Sequence, residues 1–142
     1  MSRVDFYFIP QTTATAVLLF ACRLLEKAYQ QKHQIYVHSE SPEQAKELDS
    51  TLWTFRDDSF IPHELYSATP GPSAVQIGCQ NSTVDQNDIL LNLHPEIPPF
   101  HSQFKRILQI IPQHPSAQTQ AQEHRAFYAK NGYTINEHQL TK

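Results

Sequence analysis

The spacing of apolar and polar residues changes period several times along the chain, and each change predicts an element. Val4, Phe6, Tyr7, Phe8 and Ile9 crowd into residues 3–9 and stop at Pro10, the pattern of a buried strand closed by a breaker. Over residues 14–31 the apolar positions Val17, Phe20, Ala21, Leu24, Leu25 and Ala28 recur at helical spacing, and Thr12 or Thr13 can cap the first free N–H groups. Residues 33–38 return to alternation with Ile35 and Val37. Strand, helix and strand then occupy the length of one parallel crossover unit.

A second helix is expected from Ser41, which can cap, through Pro42 at the first helical position to about Trp53, with Gln44 reaching back as in a capping box. Its stripe is Ala45, Leu48, Leu52 and Trp53; Glu43, Lys46, Glu47 and Asp49 face away. Periodicity fails over residues 54–65, where Phe55, Phe60, Ile61 and Pro62 mix with Arg56, Asp57, Asp58 and His63, so an apolar, proline-bearing loop is predicted. Pro70, Gly71 and Pro72 mark a turn region over residues 67–73. Strands are expected at 74–78 and 88–93, the second of them central, then a short turn at 100–104 and a buried strand at 106–111 ended by Pro112 and Pro115. Ser116 or Thr119 can start the last helix, Asn131 and Gly132 stop it, and residues 133–136 add an edge strand.

This order predicts a single α/β domain over residues 1–142: three layers, a mostly parallel (mixed) central sheet flanked by helices, Rossmann-like but without a phosphate-binding loop. Its 142 residues suit one core, and 39% hydrophobic with 18% charged residues is a globular composition. Eleven basic against fourteen acidic residues give a net charge of -3, so no general positive field holds a polyanion and any contact with nucleic acid is expected to be indirect. The longest apolar stretch, residues 15–25, is interrupted by Arg23 and is too short to span a membrane; with no leader pattern and only two cysteines, a cytoplasmic location is expected.

Candidate chemistry is sparse. Only Gly71, Gly78 and Gly132 are present, and the first strand-to-helix junction, Pro10 to Thr13, has neither glycine nor lysine, so a nucleotide-binding enzyme is the lesser alternative. The eight histidines are scattered without metal-ligand spacing, and no metal or cofactor is expected. Cys22 falls in the apolar stripe of the first helix, where a thiol is inert, and Cys79 has no evident base. Asp57 and Asp58 read as solvated loop carboxylates, and Ser59, Ser67 and Ser73 lack a hydrolase elbow. No catalytic residues are assigned. The density of Trp53, Phe55, Phe60, Ile61 and Pro62 admits two readings, a loop that covers its own sheet or a partner-binding patch. His124, Arg125, Tyr128 and Lys130 on the last helix form a second candidate surface, able to accept a carboxylate-bearing peptide, although a solvated helix face is the commoner reading of such a mixture.

Taken in order and spacing, the opening Val4 to Ile9, the run Ser41 to Asp49 leading to Leu52 and Trp53, and the run Asp58 to His63 resemble the chi subunit of bacterial DNA polymerase III. So do the later blocks 72–77, 88–93, 106–112 and 125–133. The resemblance covers nearly the whole chain. It implies a non-catalytic accessory subunit of the clamp-loader complex in DNA replication, bridging the psi subunit and the C-terminal tail of the single-stranded DNA-binding protein. It further implies that Trp53, Phe60, Ile61, Pro62 and His63 dock psi in a heterodimer or, competitively, a helicase, with Trp53 and Phe60 as anchors and His63 at the rim. The tail ends in acidic residues, proline and phenylalanine in this family. Its binding needs a cation and an apolar slot, yet two family positions that are basic are Gln118 and Gln122 here. Arg125 and Lys130 are the expected replacement cations, with Ile111 and Tyr128 lining the slot.

Overall fold

The computed structural model describes residues 2–55, 62–65, 74–78 and 88–140. The expected strands appear as β1 (Arg3–Phe8), β2 (Ile35–His38), β4 (Val75–Gly78), β5 (Ile89–Asn92) and β6 (Arg106–Ile111), with β3 (His63–Leu65) and β7 (Thr134–Gln139) at the edges. One sheet contains all seven in the order β3-β4-β2-β5-β6-β1-β7, and every pairing among these strands is parallel. β5 holds the centre, as its unbroken run of Ile89, Leu90 and Leu91 suggested, because a parallel strand covered on both faces has no solvent side to keep polar.

Helices α1 (Ala14–Gln30) and α2 (Pro42–Thr54) cover one face, where Leu18, Ala21, Cys22, Leu25, Leu48 and Leu52 pack on Ile35, Val37, Ile77, Ile89, Leu91 and Leu108. Helix α3 (Pro115–Lys130) covers the other, packing Ala121 and Tyr128 with Val4, Phe6, Leu90 and Ile107. The helix starts follow local chemistry. Thr13 Oγ1 accepts from the Ala16 N–H at 3.2 Å, and Ser41 Oγ accepts from the Gln44 N–H at 3.1 Å. Gln44 reaches back one residue further than a capping box requires, its Oε1 accepting from the Glu40 N–H at 2.7 Å. At the other end of the chain Gly132, with φ +83°, stops α3, and the Tyr133 N–H closes onto the Tyr128 carbonyl at 3.0 Å.

Four expectations change. The aperiodic stretch before Leu65 contains a three-residue strand, β3, because the Val75 N–H donates to the Pro62 carbonyl at 3.1 Å and seeds a parallel edge. Helix α3 begins at Pro115, before both Ser116 and Thr119; proline there is already set for the first helical turn, and the Ser116 hydroxyl bonds His114 Nδ1 instead of capping. Trp53 leaves the α2 stripe and is 59% exposed, whereas Leu52 is buried and Phe55 packs on the core. The last strand extends to Gln139, since β1 offers it a full parallel partner from Arg3 to Phe8.

A buried carboxylate ties the sheet together near this edge. Asp5 of β1 accepts from Arg106 Nε of β6 at 2.6 Å and Arg3 Nε at 3.3 Å, and its Oδ1 lies 3.2 Å from His138 Nε2 of β7. Burial alone would raise the Asp5 pKa, but the hydrogen bonds from Arg106 and His138 and the charges of Arg106 and Arg3 outweigh it and hold the carboxyl below its ordinary range. Three parallel strands thus share one anion.

Candidate functional site

The first surface lies where α2 meets β3. Asp49 and Trp53 are one turn apart on α2 and so share a face, and His63 at the start of β3 sits against both. The His63 ring centroid lies 4.9 Å from that of Trp53, and its Nε2 lies 3.3 Å from Asp49 Oδ1. In the free chain His63 is buried against Trp53 rather than exposed at a rim, while Trp53 itself remains 59% exposed. Pro62 is half-buried and tied to β4 through its carbonyl, and Leu65, at the end of β3, is exposed. Phe60 and Ile61, the other residues expected here, lie outside the described residues, as do Cys79, Asp57, Asp58 and the turn region at 67–73.

The second surface is a cavity of about 450 Å³ between α3, the end of β1 and β7. Gln118, Gln122 and Arg125 recur at four and three residues along α3, which puts all three on one face, above a floor that includes Phe8, Ala121 and Leu140. Arg125 Nε lies 3.2 Å from Glu137 Oε2 across the opening. Of the six residues expected to form a tail site, these three are brought together and three are not. Tyr128 is fully buried, packed against Phe6, His101 and Tyr133, and burial raises its hydroxyl pKa; it cannot line an open slot. Ile111 is buried in the core beneath α3, where it lines a different cavity. Lys130 is exposed but points away, because five residues from Arg125 is well over a quarter turn off its face. Glu137 and Leu140 carry no signal in the sequence, because the apolar pattern of the last strand stops at residue 136 while its pairing with β1 runs on to Gln139 and the Leu140 N–H bonds the Phe8 carbonyl.

Residues 1–136 match the family model described as DNA polymerase III chi subunit, HolC. The chain is also 37% identical to DNA polymerase III subunit chi of Pseudomonas aeruginosa, over 100% of this chain and 99% of that protein. It belongs to the DNA polymerase III chi subunit family. Two further chi subunits, from Haemophilus influenzae and Escherichia coli, are 31% and 26% identical, covering 84% and 96% of this chain and 84% and 97% of their own lengths. Membership makes the chain an accessory subunit in DNA replication and not a catalytic one.

The crevice where an α/β enzyme of another kind would bind a nucleotide exists in this chi family member, but the described residues around it lack a basic side chain. A cavity of about 460 Å³ opens at the carboxyl ends of β5 and β6, beside the starts of α1 and α3. No Lys or Arg is among the described residues lining it, Glu40 stands there as a negative charge, and the Thr13 hydroxyl is already used as the α1 cap. Its floor is neutral: His124, its pKa lowered by burial, takes a hydrogen bond from Gln109 at 3.0 Å. On the α1 side, burial pushes the Cys22 thiol up to about 12, so it stays protonated and unreactive. No helix among the described residues is long and apolar enough to cross a membrane.

Proposed function

We propose that the chain is a two-ended adaptor of the replicative clamp loader. Trp53, Phe60, Ile61, Pro62 and His63 bind the psi subunit or a competing helicase, and the α3 cavity binds the acidic C-terminal tail of the single-stranded DNA-binding protein. The observation that carries this reading is the separation of the two surfaces. Trp53 rests on His63 of β3 and Arg125 pairs with Glu137 of β7, the two edge strands of the sheet, which lie six strand spacings or roughly 29 Å apart. Two partners can therefore be held at once without competing for area. An exposed tryptophan on a buried support has the form of an interface anchor: it buries much area on docking and loses little side-chain freedom. Among the described residues, the α3 cavity offers one cation and an apolar floor, the two things a tail of acidic residues, proline and phenylalanine requires. With a net charge of -3, the chain would reach DNA through the coating protein and not through phosphate.

Calorimetric titration of the full chain with a peptide copying that tail, repeated in the presence of saturating psi from the same organism, tests the adaptor. Equal affinity with and without psi is expected. Mutual exclusion of psi and tail peptide would defeat the proposal.

A further inference from the structure

We infer that Glu137 is a built-in competitor for the acidic peptide, and that it sets both the affinity and the charge selectivity of the α3 cavity. This rests on the reading of that cavity as the tail-binding site. Arg125 is the one cation and Glu137 the one carboxylate among the described residues that line it. They face each other from α3 and β7 as an ion pair, Arg125 Nε lying 3.2 Å from Glu137 Oε2. The remaining polar groups on that helix face, Gln118 and Gln122, are neutral, so no second cation takes over while Arg125 is engaged.

An arriving carboxylate thus meets a guanidinium whose charge is already balanced. It must either displace Glu137 from the guanidinium or bind beside a second negative group; both routes weaken binding. Displacement is feasible because both partners are largely open to water, 58% and 41% exposed, and an exposed pair holds together only weakly. A segment bringing several carboxylates, with an aromatic ring for the Phe8, Ala121 and Leu140 floor, competes successfully against one fixed carboxylate, whereas a single acidic side chain on a polar peptide does not. Glu137 therefore filters partners by negative charge density.

The test is titration of the tail peptide into the full chain and its Glu137→Gln, Glu137→Ala, Arg125→Gln and Glu137→Gln/Arg125→Gln variants, beside the same peptide with its acidic residues replaced by amides. Both Glu137 variants should bind the acidic peptide about three- to tenfold more tightly, the upper part of that range reflecting relief of like-charge crowding in addition to release of an exposed ion pair. The gain should vanish in the double variant and be absent with the amidated peptide. Unchanged affinity in both Glu137 variants, with binding lost in Arg125→Gln, would overturn the competitor role while leaving the tail site standing. Absence of binding to every variant would remove the site and the inference together.

Discussion

The indole of Trp53 lies over the imidazole of His63 with ring centroids 4.9 Å apart and planes tilted by 59°, yet the tryptophan is 59% exposed and the histidine is buried. The pair behaves as a platform and its support. Trp53→Ala should leave the melting temperature within the range of an ordinary surface substitution, because more than half of Trp53 is exposed in the free chain, and should weaken psi binding by about 2 kcal/mol or more. Calorimetry with psi and a thermal melt of the same sample check both halves. A variant that unfolds would place Trp53 in the core instead.

His38 supplies a pH dependence. Burial, and then the neighbouring charge of His94, push its pKa down to about 4, so it is neutral in the fold while the unfolded chain takes up a proton below about pH 6.5. The linked stability is complete above that value and is lost as pH falls from 6.5 toward 4. The full shift corresponds to about 3 kcal/mol at most. His101 and His124, both lowered chiefly by burial, act in the same direction. His38→Phe keeps a ring between His94 and Phe100 and should flatten the dependence, measured by urea unfolding at pH 7 and pH 4.5.

The Asp5 carboxylate predicts a separate, lower window. Its depressed pKa contributes stability above the ordinary carboxyl range, near 3.8, and loses it as pH falls below. Asp5→Asn should cost about 2 kcal/mol at neutral pH, less than breaking a fully buried pair, because Arg106 and His138 keep some contact with water. Since the anion joins β1 to β6 and β7, amide exchange should rise first in Thr134–Gln139, the edge strand. Uniform loss of protection would show that the cluster is not specific to that edge.

Gly78 makes a packing prediction. A Cβ there would collide with the hydroxyl of fully buried Tyr36 across the β2–β4 pair, so Gly78→Ala should destabilise by about 1–3 kcal/mol even though its backbone suits any residue. Tyr36→Phe removes the colliding oxygen and should recover part of that loss. Denaturant midpoints of the two single variants and the double variant give the coupling directly.

Local physics made much of this chain legible in advance. The cap at Ser41, the stop at Gly132, the strand Arg106–Ile111 and the central position of β5 each depend on dihedral preferences or periodicity within a few residues. The missing phosphate loop is likewise a matter of which residues follow β1. What sequence could not supply is which residues meet across the sheet. Helix α3 carries a weak apolar stripe, alanines among glutamines, so its inward face is fixed by Tyr128 entering the space beside Phe6 and not by period alone. That rotation withdraws Tyr128 from the tail surface and turns Gln118, Gln122 and Arg125 outward. β3 and the far end of β7 exist because neighbouring strands present unpaired N–H and C=O groups to them, a condition invisible in their own residues. The burial of His63 and the pairing of Arg125 with Glu137 follow from those strands: sequence set the elements, and the sheet's long-range hydrogen bonding decided which side chains they bring together.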